Sequence, residues 1–213
     1  MRAAWALLVL VGCARGNAEP ARAVGDLPWC VTRGEVAVVD GVGRIAAPVF
    51  RAVAPGTAGD QAALDFTYDG PTDTAVPLAS GQLRRQLGLK LRAADCCNLI
   101  YVMWRIEPRA ELVVSVKRNP GAHDHRGCGA GGYTDLTAIP APLAPGAHHA
   151  LAARIDGETL SVEVDGEPRW RGPLPATVRD LRGPAGLRSD NVRWQARLTA
   201  APGATAGPCR DGD

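Results

Sequence analysis

Short segments of alternating apolar and polar residues, each bounded by turn residues, run along most of this 213-residue chain. The clearest pair covers 149–155 and 159–164, which flank Asp156-Gly157, a dipeptide typical of two-residue hairpin turns. Such segments predict antiparallel strands with one buried face and one solvated face. No convincing amphipathic helix accompanies them, so we expect an all-β protein.

The same pattern continues on both sides of this hairpin. Further strands are predicted at 35–40, 62–68, 82–92, 98–107, 111–117 and 193–199, and Asp165-Gly166 turns the chain into Arg169-Trp170. The total is about nine or ten strands, spaced roughly 10 to 15 residues apart, which favours a two-sheet sandwich. One helical turn at most is expected, at 177–181.

The first thirteen residues have the layout of a secretory signal, with Arg2 followed by an apolar run at 3–11. This run is too short to span a bilayer as a helix. Leu10-Val11-Gly12-Cys13 also resembles the lipobox of bacterial lipoproteins, whose cysteine is acylated and becomes the mature N-terminus. We expect a membrane-anchored lipoprotein of the bacterial cell envelope, periplasmic or surface-exposed, with ordinary secretion as the alternative.

Composition and periodicity divide the chain into a signal at 1–12, a flexible tether at 13–28, one sandwich domain at 29–199 and a loose tail at 200–213. A hydrophobic content of 46% is sufficient for a real core. The net charge is +2 with both signs interspersed, which gives no electrostatic footprint for nucleic acid. No second apolar run approaches the length of a membrane span, so the lipid is the only membrane contact expected.

Cysteines beyond Cys13 are candidates for disulfides, because an exported chain meets an oxidising compartment. A bridge between Cys30 and Cys209 would clamp the two ends of the domain. A second bridge would join Cys128 to Cys96 or to Cys97. Adjacent cysteines rarely bond each other, and sequence alone does not determine the connectivity. The candidates are Cys30, Cys209, Cys96, Cys97 and Cys128.

Two segments resemble concanavalin A-like lectin/glucanase domains, a superfamily that includes laminin-G-like modules. HHALAARIDGETLSVEVDGEPRW at 148–170 is similar to adjacent strands of these domains, and GPAGLRSDN at 183–191 is similar to the segment that precedes their last strand. The resemblance covers 80–199, and 30–79 only weakly. It implies a jelly-roll sandwich of two antiparallel sheets, in which the concave sheet and its rim loops bind or cleave glycans in relatives.

The motif Glu163-Val-Asp-Gly-Glu167 resembles the E-x-D-x-E of retaining glucanases in this superfamily. One glutamate of that motif is the nucleophile and the other is the general acid, and alternate strand positions place both on one face. However, Asp165-Gly166 is a strong turn dipeptide. We therefore expect these acids to straddle a hairpin, and Glu163 and Glu167 remain weak catalytic candidates.

The strand at 98–107 supplies the best positional indication of a binding face. Ile100, Val102, Trp104 and Ile106 share a face that is expected to be core, which leaves Tyr101 and Arg105 on the opposite side, expected to be exposed and concave. Aromatic rings stack on the apolar faces of sugars, and arginine binds hydroxyl or acidic groups. The candidate ligand-binding residues are Tyr101, Arg105, His123, His125, Tyr133 and Arg188.

Metal binding is a weaker expectation. The run His123-Asp-His-Arg-Gly-Cys128 contains residue types that bind zinc or copper, but no second cluster stands at a diagnostic spacing, so we expect a ligand-contacting or solvated loop instead. Laminin-G-like relatives bind calcium through aspartates, which makes Asp190, Asp156 and Asp95 available ligands. No dense acidic loop occurs, and no cofactor is predicted, with calcium as the alternative.

These observations favour a non-catalytic, lipid-anchored β-sandwich that binds a carbohydrate or glycoconjugate. A glycoside hydrolase of the same superfamily is the second hypothesis. The third is an adhesion or structural module of the envelope with a protein partner. Fold alone does not decide among them.

Overall fold

In the computed structural model, residues 22–23 and 29–203 are described, and they form almost entirely antiparallel strands. The strands are β1 (Arg22–Ala23), β2 (Cys30–Arg33), β3 (Ala37–Val39), β4 (Val42–Ile45), β5 (Val49–Val53), β6 (Thr57–Pro71), β7 (Arg85–Leu91), β8 (Leu99–Glu107), β9 (Glu111–Lys117), β10 (Tyr133–Pro140), β11 (His148–Asp156), β12 (Thr159–Val164), β13 (Glu167–Pro173), β14 (Gly186–Asp190) and β15 (Val192–Pro202). A short helix α1 (His125–Cys128) and a 3-10 turn (Ala176–Val178) complete the described elements.

The strands form two sheets that pack face to face. The first sheet has the order β13-β12-β11-β6-β15-β4-β3, with β1 paired to β15. The second sheet has the order β10-β9-β8-β7-β14-β5-β2. Chain neighbours often lie in different sheets, as in a jelly roll, and the all-β sandwich expected from the sequence is confirmed. No helix of the described part is both long enough and apolar enough to cross a membrane.

The core lies between the sheets and follows the period-two pattern of the strands. Leu87, Leu89 and Leu91 of β7 all point into it and are fully buried. Trp104 of β8 meets Phe66 edge to face, with ring centroids 5.6 Å apart. Full burial of one such side chain contributes roughly 1.5–3 kcal/mol, so the alternating leucines and aromatics fix which face of each strand turns inward.

Two predicted boundaries differ from the structure. The tether predicted at 13–28 contains β1, whose Arg22 and Ala23 pair with Ala200 and Thr199. Residues 200–202, predicted as the start of a loose tail, belong to β15, which continues to Pro202. On this side of β15, β4 pairs only with 194–196. β1 supplies hydrogen-bonding partners to Thr199 and Ala200, beyond the end of that pairing.

Several predictions fall on residues outside the described part of the chain. These are the signal at 1–12, the acylated Cys13, most of the tether and the proposed disulfide partner Cys209. Cys30 is disulfide-bonded, but its predicted pairing with Cys209 cannot be placed for the same reason.

A disulfide joins the start of the β8 region to α1. Cys97 and Cys128 are bonded with their Cα atoms 5.7 Å apart, which resolves the choice between Cys96 and Cys97. The bond spans 31 positions of sequence, including β8 and β9. It therefore ties the long loop that follows β9 back to the sheet.

Removing this bond should lower stability. The double variant Cys97→Ala/Cys128→Ala frees a loop of 31 residues in the unfolded chain, which corresponds to about 3–4 kcal/mol in the chain-entropy description. Urea unfolding followed by tryptophan fluorescence measures the change. Cys96→Ser is the matched control, because it retains the bond, and it should stay within about 1 kcal/mol of the parent. Equal midpoints for the parent and the double variant would contradict a stabilising bond.

Candidate functional site

A pocket of about 420 Å³ lies on the outer face of the second sheet, away from the core. Its floor is formed by β5, β14, β7, β8 and β9, and β10 closes one side. Two loops form the rims: the segment 77–84 before β7, and the segment 125–130 that contains α1. The volume falls within the range of roughly 300–1,000 Å³ that is typical of small-ligand sites.

The polar floor follows from strand alternation. In β7, Gln86 and Lys90 point to the pocket while the intervening leucines point to the core. In β9, Ser115 and Lys117 point to the pocket, while Val114 and Val116, which alternate with them, point to the core. Successive side chains point to opposite faces of a sheet, so core packing on one face aims every second residue at the pocket.

Asn191 holds the 77–84 rim. Its backbone φ is 57°, in the left-handed region, where it ends β14. Its side-chain oxygen accepts from the Val76 amide at 2.7 Å, and its side-chain nitrogen donates to the carbonyls of Val76 and Arg84 at 2.9 and 3.0 Å. Through these side-chain-to-backbone bonds Asn191 anchors the loop.

The second rim is held by the disulfide and by polar side chains at its base. Asn98 donates to the Ala122 carbonyl at 2.9 Å and to Asp95 at 2.9 Å. His123 also bonds Asp95, with Nδ1 2.8 Å from a carboxylate oxygen. The loop 118–132 therefore has a defined position beside the pocket.

Asp190 is the centre of a buried ionic network in the floor. Its side chain is 1% exposed and accepts from Arg51 at 2.5 Å and from Arg188 Nε at 2.9 Å. Gln86 donates its amide to the same carboxylate at 2.7 Å. Arg51 is paired directly across the sheet with Arg188, and Asp190 with Gln86, so three strands meet at this carboxylate.

The network shifts the ionisation of its members. Burial by itself raises the pKa of Asp190, but the charges of Arg188 and Arg51 and the bond from Gln86 outweigh burial and hold the pKa well below its usual range. Burial opposes the charge of Arg188, yet Asp190 and two tyrosines raise its pKa well above the ordinary value. Both groups are therefore charged at neutral pH.

A pair of tyrosines lies next to this network. Tyr101 and Tyr133 are stacked, with centroids 6.1 Å apart and an interplanar angle of 16°. The guanidinium of Arg188 lies 5.0 Å from the Tyr101 ring and donates to the Tyr133 hydroxyl at 3.0 Å. Lys117 Nζ lies 5.2 Å from the Tyr133 ring centroid. Tyr133 remains 42% exposed, so part of its ring is open to a ligand.

The two hydroxyls differ in acidity. Burial raises the pKa of Tyr101 to about 12. Burial opposes ionisation of Tyr133 as well, but the charges of Arg188 and Lys117 outweigh it and lower its pKa. Two cations lie near each ring, and the difference follows from burial, since Tyr101 is 4% exposed and Tyr133 is 42% exposed.

Gly88 lies at a close approach between two strands of the floor. It is the cross-strand partner of both Arg188 and Met103. A Cβ atom at this position would stand 2.2 Å from the Val102 carbonyl oxygen, which excludes any larger residue. The glycine therefore permits the close approach of β7 and β8 beneath the pocket.

The pocket is strongly cationic, although the chain as a whole carries only +2. Two carboxylates line it, Asp135 and Asp190. Seven arginine or lysine side chains line it as well: Arg33, Arg51, Arg84, Lys90, Arg105, Lys117 and Arg188. Arginine and lysine offer only donors, so this lining suits a ligand rich in oxygen acceptors.

Five of the six predicted ligand-binding residues line this pocket, although they come from four separate elements. They are Tyr101, Arg105, His125, Tyr133 and Arg188. His123 is not among the lining residues and instead bonds Asp95. Arg105 also has acidic neighbours, Glu111 at 2.9 Å and Asp135 at 3.7 Å.

Sequence reasoning missed several side chains of the floor. Arg51, Gln86, Lys90, Lys117 and Asp190 all line the pocket. Asp190 was considered only as a calcium ligand. Gln86, Lys90 and Lys117 could have been found from the alternation in β7 and β9, where they alternate with leucines or valines that face the core. A polar residue inside a strand was instead taken as solvated, whereas Lys117 and Gln86 are each only 2% exposed.

Glu163 and Glu167 lie elsewhere, on the β12–β13 hairpin of the first sheet. Asp165 and Gly166 between them have φ values of 55° and 80°, as a type I′ turn requires. The Asp165 carboxylate accepts a hydrogen bond from the Ala150 amide and also bonds His149 Nδ1, each at 2.8 Å. These acids straddle a turn, and none of them lines the pocket.

The residues weighed as metal ligands are not assembled into a site. Within the described chain, the one group of three or more potential ligands is Cys96, Cys97 and Cys128, and two of these form the disulfide. Asp190 is held by the pocket arginines, Asp95 lies below the 118–132 loop, and Asp156 ends β11 in the first sheet. No pair of the three aspartates shares a site.

Comparison with solved structures identifies the fold as the concanavalin A-like jelly roll. The carbohydrate binding module CBM66 from Bacillus subtilis aligns with a TM-score of 0.55 and 12% identity, covering 83% of this chain and 95% of that one. Bacillus licheniformis β-glucanase aligns at 0.53 and 8% identity, covering 88% and 100%. The metal-free carbohydrate recognition domain of Emp46p aligns at 0.50 and 8% identity, covering 83% and 88%.

Neither a protein-family model nor a curated protein sequence matches this chain. At these identities the structural likeness establishes the fold alone, and the site must be interpreted from its own residues.

The Asp190 network should make the free energy of unfolding depend on pH in the acidic range. The pKa of Asp190 is lower in the folded than in the unfolded state, so its contribution is present above about pH 4 and is lost as pH falls further. Asp190→Asn should remove up to about 1.4 kcal/mol per pH unit from the acid slope of unfolding free energy. The same variant should be less stable at pH 7 by about 3–5 kcal/mol, because it breaks a buried ion pair.

Urea unfolding between pH 3 and 7 measures both effects. Asp73→Asn is the control, since Asp73 is 91% exposed beside Arg193 and should retain the parental slope. An acid slope unchanged by Asp190→Asn would show that Asp190 is not the linked group.

Proposed function

We propose that this protein binds carbohydrate, without cleaving it, in the pocket on the outer face of the second sheet. The observation that carries the proposal is the stacked Tyr101–Tyr133 pair beside Arg188 in a built cavity. An exposed part of an aromatic ring suits the apolar face of a sugar, and the surrounding donors suit its hydroxyl oxygens. The side chains that would meet the ligand are already fixed by their own bonds, which lowers the ordering cost of binding.

The structural neighbours support this function. Two of the aligned proteins are named as a carbohydrate binding module and a carbohydrate recognition domain. In this chain the corresponding function is assigned to the pocket because five residues selected for sugar recognition converge there. The shared fold supplies the scaffold, and the aromatic and cationic side chains supply the reason for the assignment.

Glycoside hydrolysis, the second hypothesis, is suggested by the β-glucanase neighbour. That chemistry uses two carboxyl groups on either side of the scissile bond. Two carboxylates line the pocket, Asp135 and Asp190. Asp190 is bound by two arginines, so Asp135 has no second carboxylate in the lining with which to form a catalytic pair. Glu163 and Glu167 lie on the other sheet. The site therefore supports binding better than hydrolysis.

Adhesion to a protein partner was the third hypothesis. A protein interface buries an extended and mostly flat surface, whereas this site is a pocket of about 420 Å³ with a polar floor. A small polar ligand fits it better. We retain carbohydrate as the ligand class.

Export and lipid anchoring at Cys13 are part of the proposal. They rest on Leu10-Val11-Gly12-Cys13 and on the apolar run before it. The disulfide between Cys97 and Cys128 adds support, because such bonds persist in oxidising compartments and are rare in the cytosol. The protein would then present its pocket close to a membrane surface of the cell envelope.

Tyr133→Ala should weaken binding of the glycan selected on an array by about tenfold, equivalent to about 1.4 kcal/mol, because it removes the exposed stacking ring. Titration calorimetry with that glycan measures the change in Kd. Tyr133 is half-exposed, so the variant should retain the fold.

Glu163→Gln/Glu167→Gln is the control for this experiment, because these residues lie outside the pocket. It should bind with parental affinity, and neither it nor the parent should release reducing sugar from the bound glycan. Hydrolysis lost in the double variant would restore the glucanase hypothesis. An array without any bound glycan would overturn carbohydrate binding.

Cys13→Ala should abolish lipid attachment if the chain is processed as a lipoprotein. Expression of the full chain in a bacterial host with radiolabelled palmitate should label the parent and leave the variant unlabelled. Cys96→Ser is the cysteine control and should be labelled like the parent. A labelled Cys13→Ala variant, or an unlabelled parent, would contradict the lipobox assignment.

A further inference from the structure

We infer that the saccharide bound in this pocket is acidic, with a carboxylate or sulfate group held by the arginines near the 77–84 rim. The inference rests on the proposed carbohydrate binding and specifies its chemical class. It is carried by the charge balance of the pocket and by the unpartnered polar atoms in its wall.

The charge balance is the first step. Seven cationic side chains and two carboxylates line the pocket, and the buried Asp190 carboxylate is already shared by two of those cations. A cavity with this excess of positive charge attracts anions strongly, because water screens the charges less inside a pocket than on an open surface. A neutral sugar would leave the excess positive charge unbalanced.

Among the cations that line the pocket, Lys117 and Arg84 bond neutral groups of the described structure. Lys117 is 2% exposed, and its three donors bond the carbonyls of Cys96 and Gly129 at 3.1 Å and Cys128 Sγ at 3.2 Å. Arg84 donates to the neutral Gln82 side chain at 2.6 Å. Buried or half-buried cations are usually paired with an anion, so Arg84, whose Nε also lacks a hydrogen-bond partner among the described residues, is where a ligand anion would gain most.

Mutual repulsion is evident at the Arg84 end. Burial and the nearby charges of Arg105 and Arg188 lower the pKa of Arg84. At the other rim, burial and the charges of Lys117 and Arg33 lower the pKa of His125. Both groups sense a positive potential, at opposite ends of the same pocket.

Unpartnered polar atoms mark the same region. Arg84 Nε, Arg105 Nε and Gln86 Oε1 are buried and have no hydrogen-bond partner among the described residues. The Gln86 amide nitrogen must face the ionised Asp190, which only accepts, so its oxygen points away as an acceptor. Two donors and one acceptor side by side match an anionic group next to a hydroxyl. Acidic sugars carry this combination, whereas inorganic anions lack the hydroxyl-bearing ring.

The experiment compares matched acidic and neutral ligands on the full chain. Short oligogalacturonates are titrated against their methyl-esterified forms, which retain the rings and hydroxyls but lose the charge. Glucuronate-containing, mannuronate and sulfated oligosaccharides, each with a neutral counterpart, extend the panel, and inorganic phosphate tests a bare anion. We expect at least one acidic ligand to bind about tenfold or more tightly than its neutral counterpart, and to weaken at about 0.5 M salt.

Arg84→Gln is the informative variant, because it removes a charge that is repelled by its neighbours and breaks no ion pair, so it should fold. It should weaken the acidic ligand about tenfold and leave the neutral counterpart unchanged. Arg85→Gln is the matched control: Arg85 is adjacent in β7, pairs with Glu107 and does not line the pocket. It should retain parental affinity. If Arg84→Gln did not fold, the salt dependence of the parent would still test the inference.

The outcomes separate this inference from the proposed function. Equal binding of acidic and neutral forms would overturn the acidic class and leave carbohydrate binding standing. Binding of phosphate without any saccharide would overturn the proposed function. No binding across the panel would overturn both.

Discussion

One buried carboxylate organises the second sheet. Asp190 lies between Arg51 and Arg188, which face each other across β5 and β14, where two like charges would otherwise repel. Gln86 of β7 adds a third strand to the same carboxylate. If the carboxylate were absent, two buried guanidinium groups would stand side by side without compensation, at a cost of several kcal/mol. The position of Arg188 over Tyr101 depends on this arrangement.

The rims of the pocket depend on the sheet in the same way. Asn191 directly follows Asp190 and bonds the 77–84 segment, while the Cys97–Cys128 bond and Asn98 fix the loop at 118–132. Both loops are therefore attached to strands that also supply the floor. A pocket built in this way loses little conformational entropy on binding, which suits recognition of a weakly hydrophobic ligand such as a sugar.

Much of the scaffold could be predicted from local pattern. The Asp156-Gly157 hairpin and the leucines of β7 sufficed for strands with a buried face, and alternation in β8 correctly separated Trp104 from Tyr101 and Arg105. Lys117 and Gln86 were missed because a polar residue in a strand is ordinarily solvated. They are buried because groups from other elements cover them: Lys117 bonds Cys128 and Gly129 of the rim loop, and Gln86 bonds Asp190 of β14. No alternation within a single strand encodes this coverage.

Local pattern in the chain was enough to indicate the two-sheet architecture, since period-two patterning and turn chemistry are local properties. The sequence also contains the arginines and tyrosines of the pocket, but its local pattern does not show which of them lie close together. Only the tertiary structure decided that Arg51, Arg84 and Arg188 line one pocket with Tyr133, while Glu163 and Glu167 lie on the opposite sheet. The reason is strand order: residues more than a hundred positions apart become neighbours when β5, β14 and β7 pair, and that pairing is set by global packing.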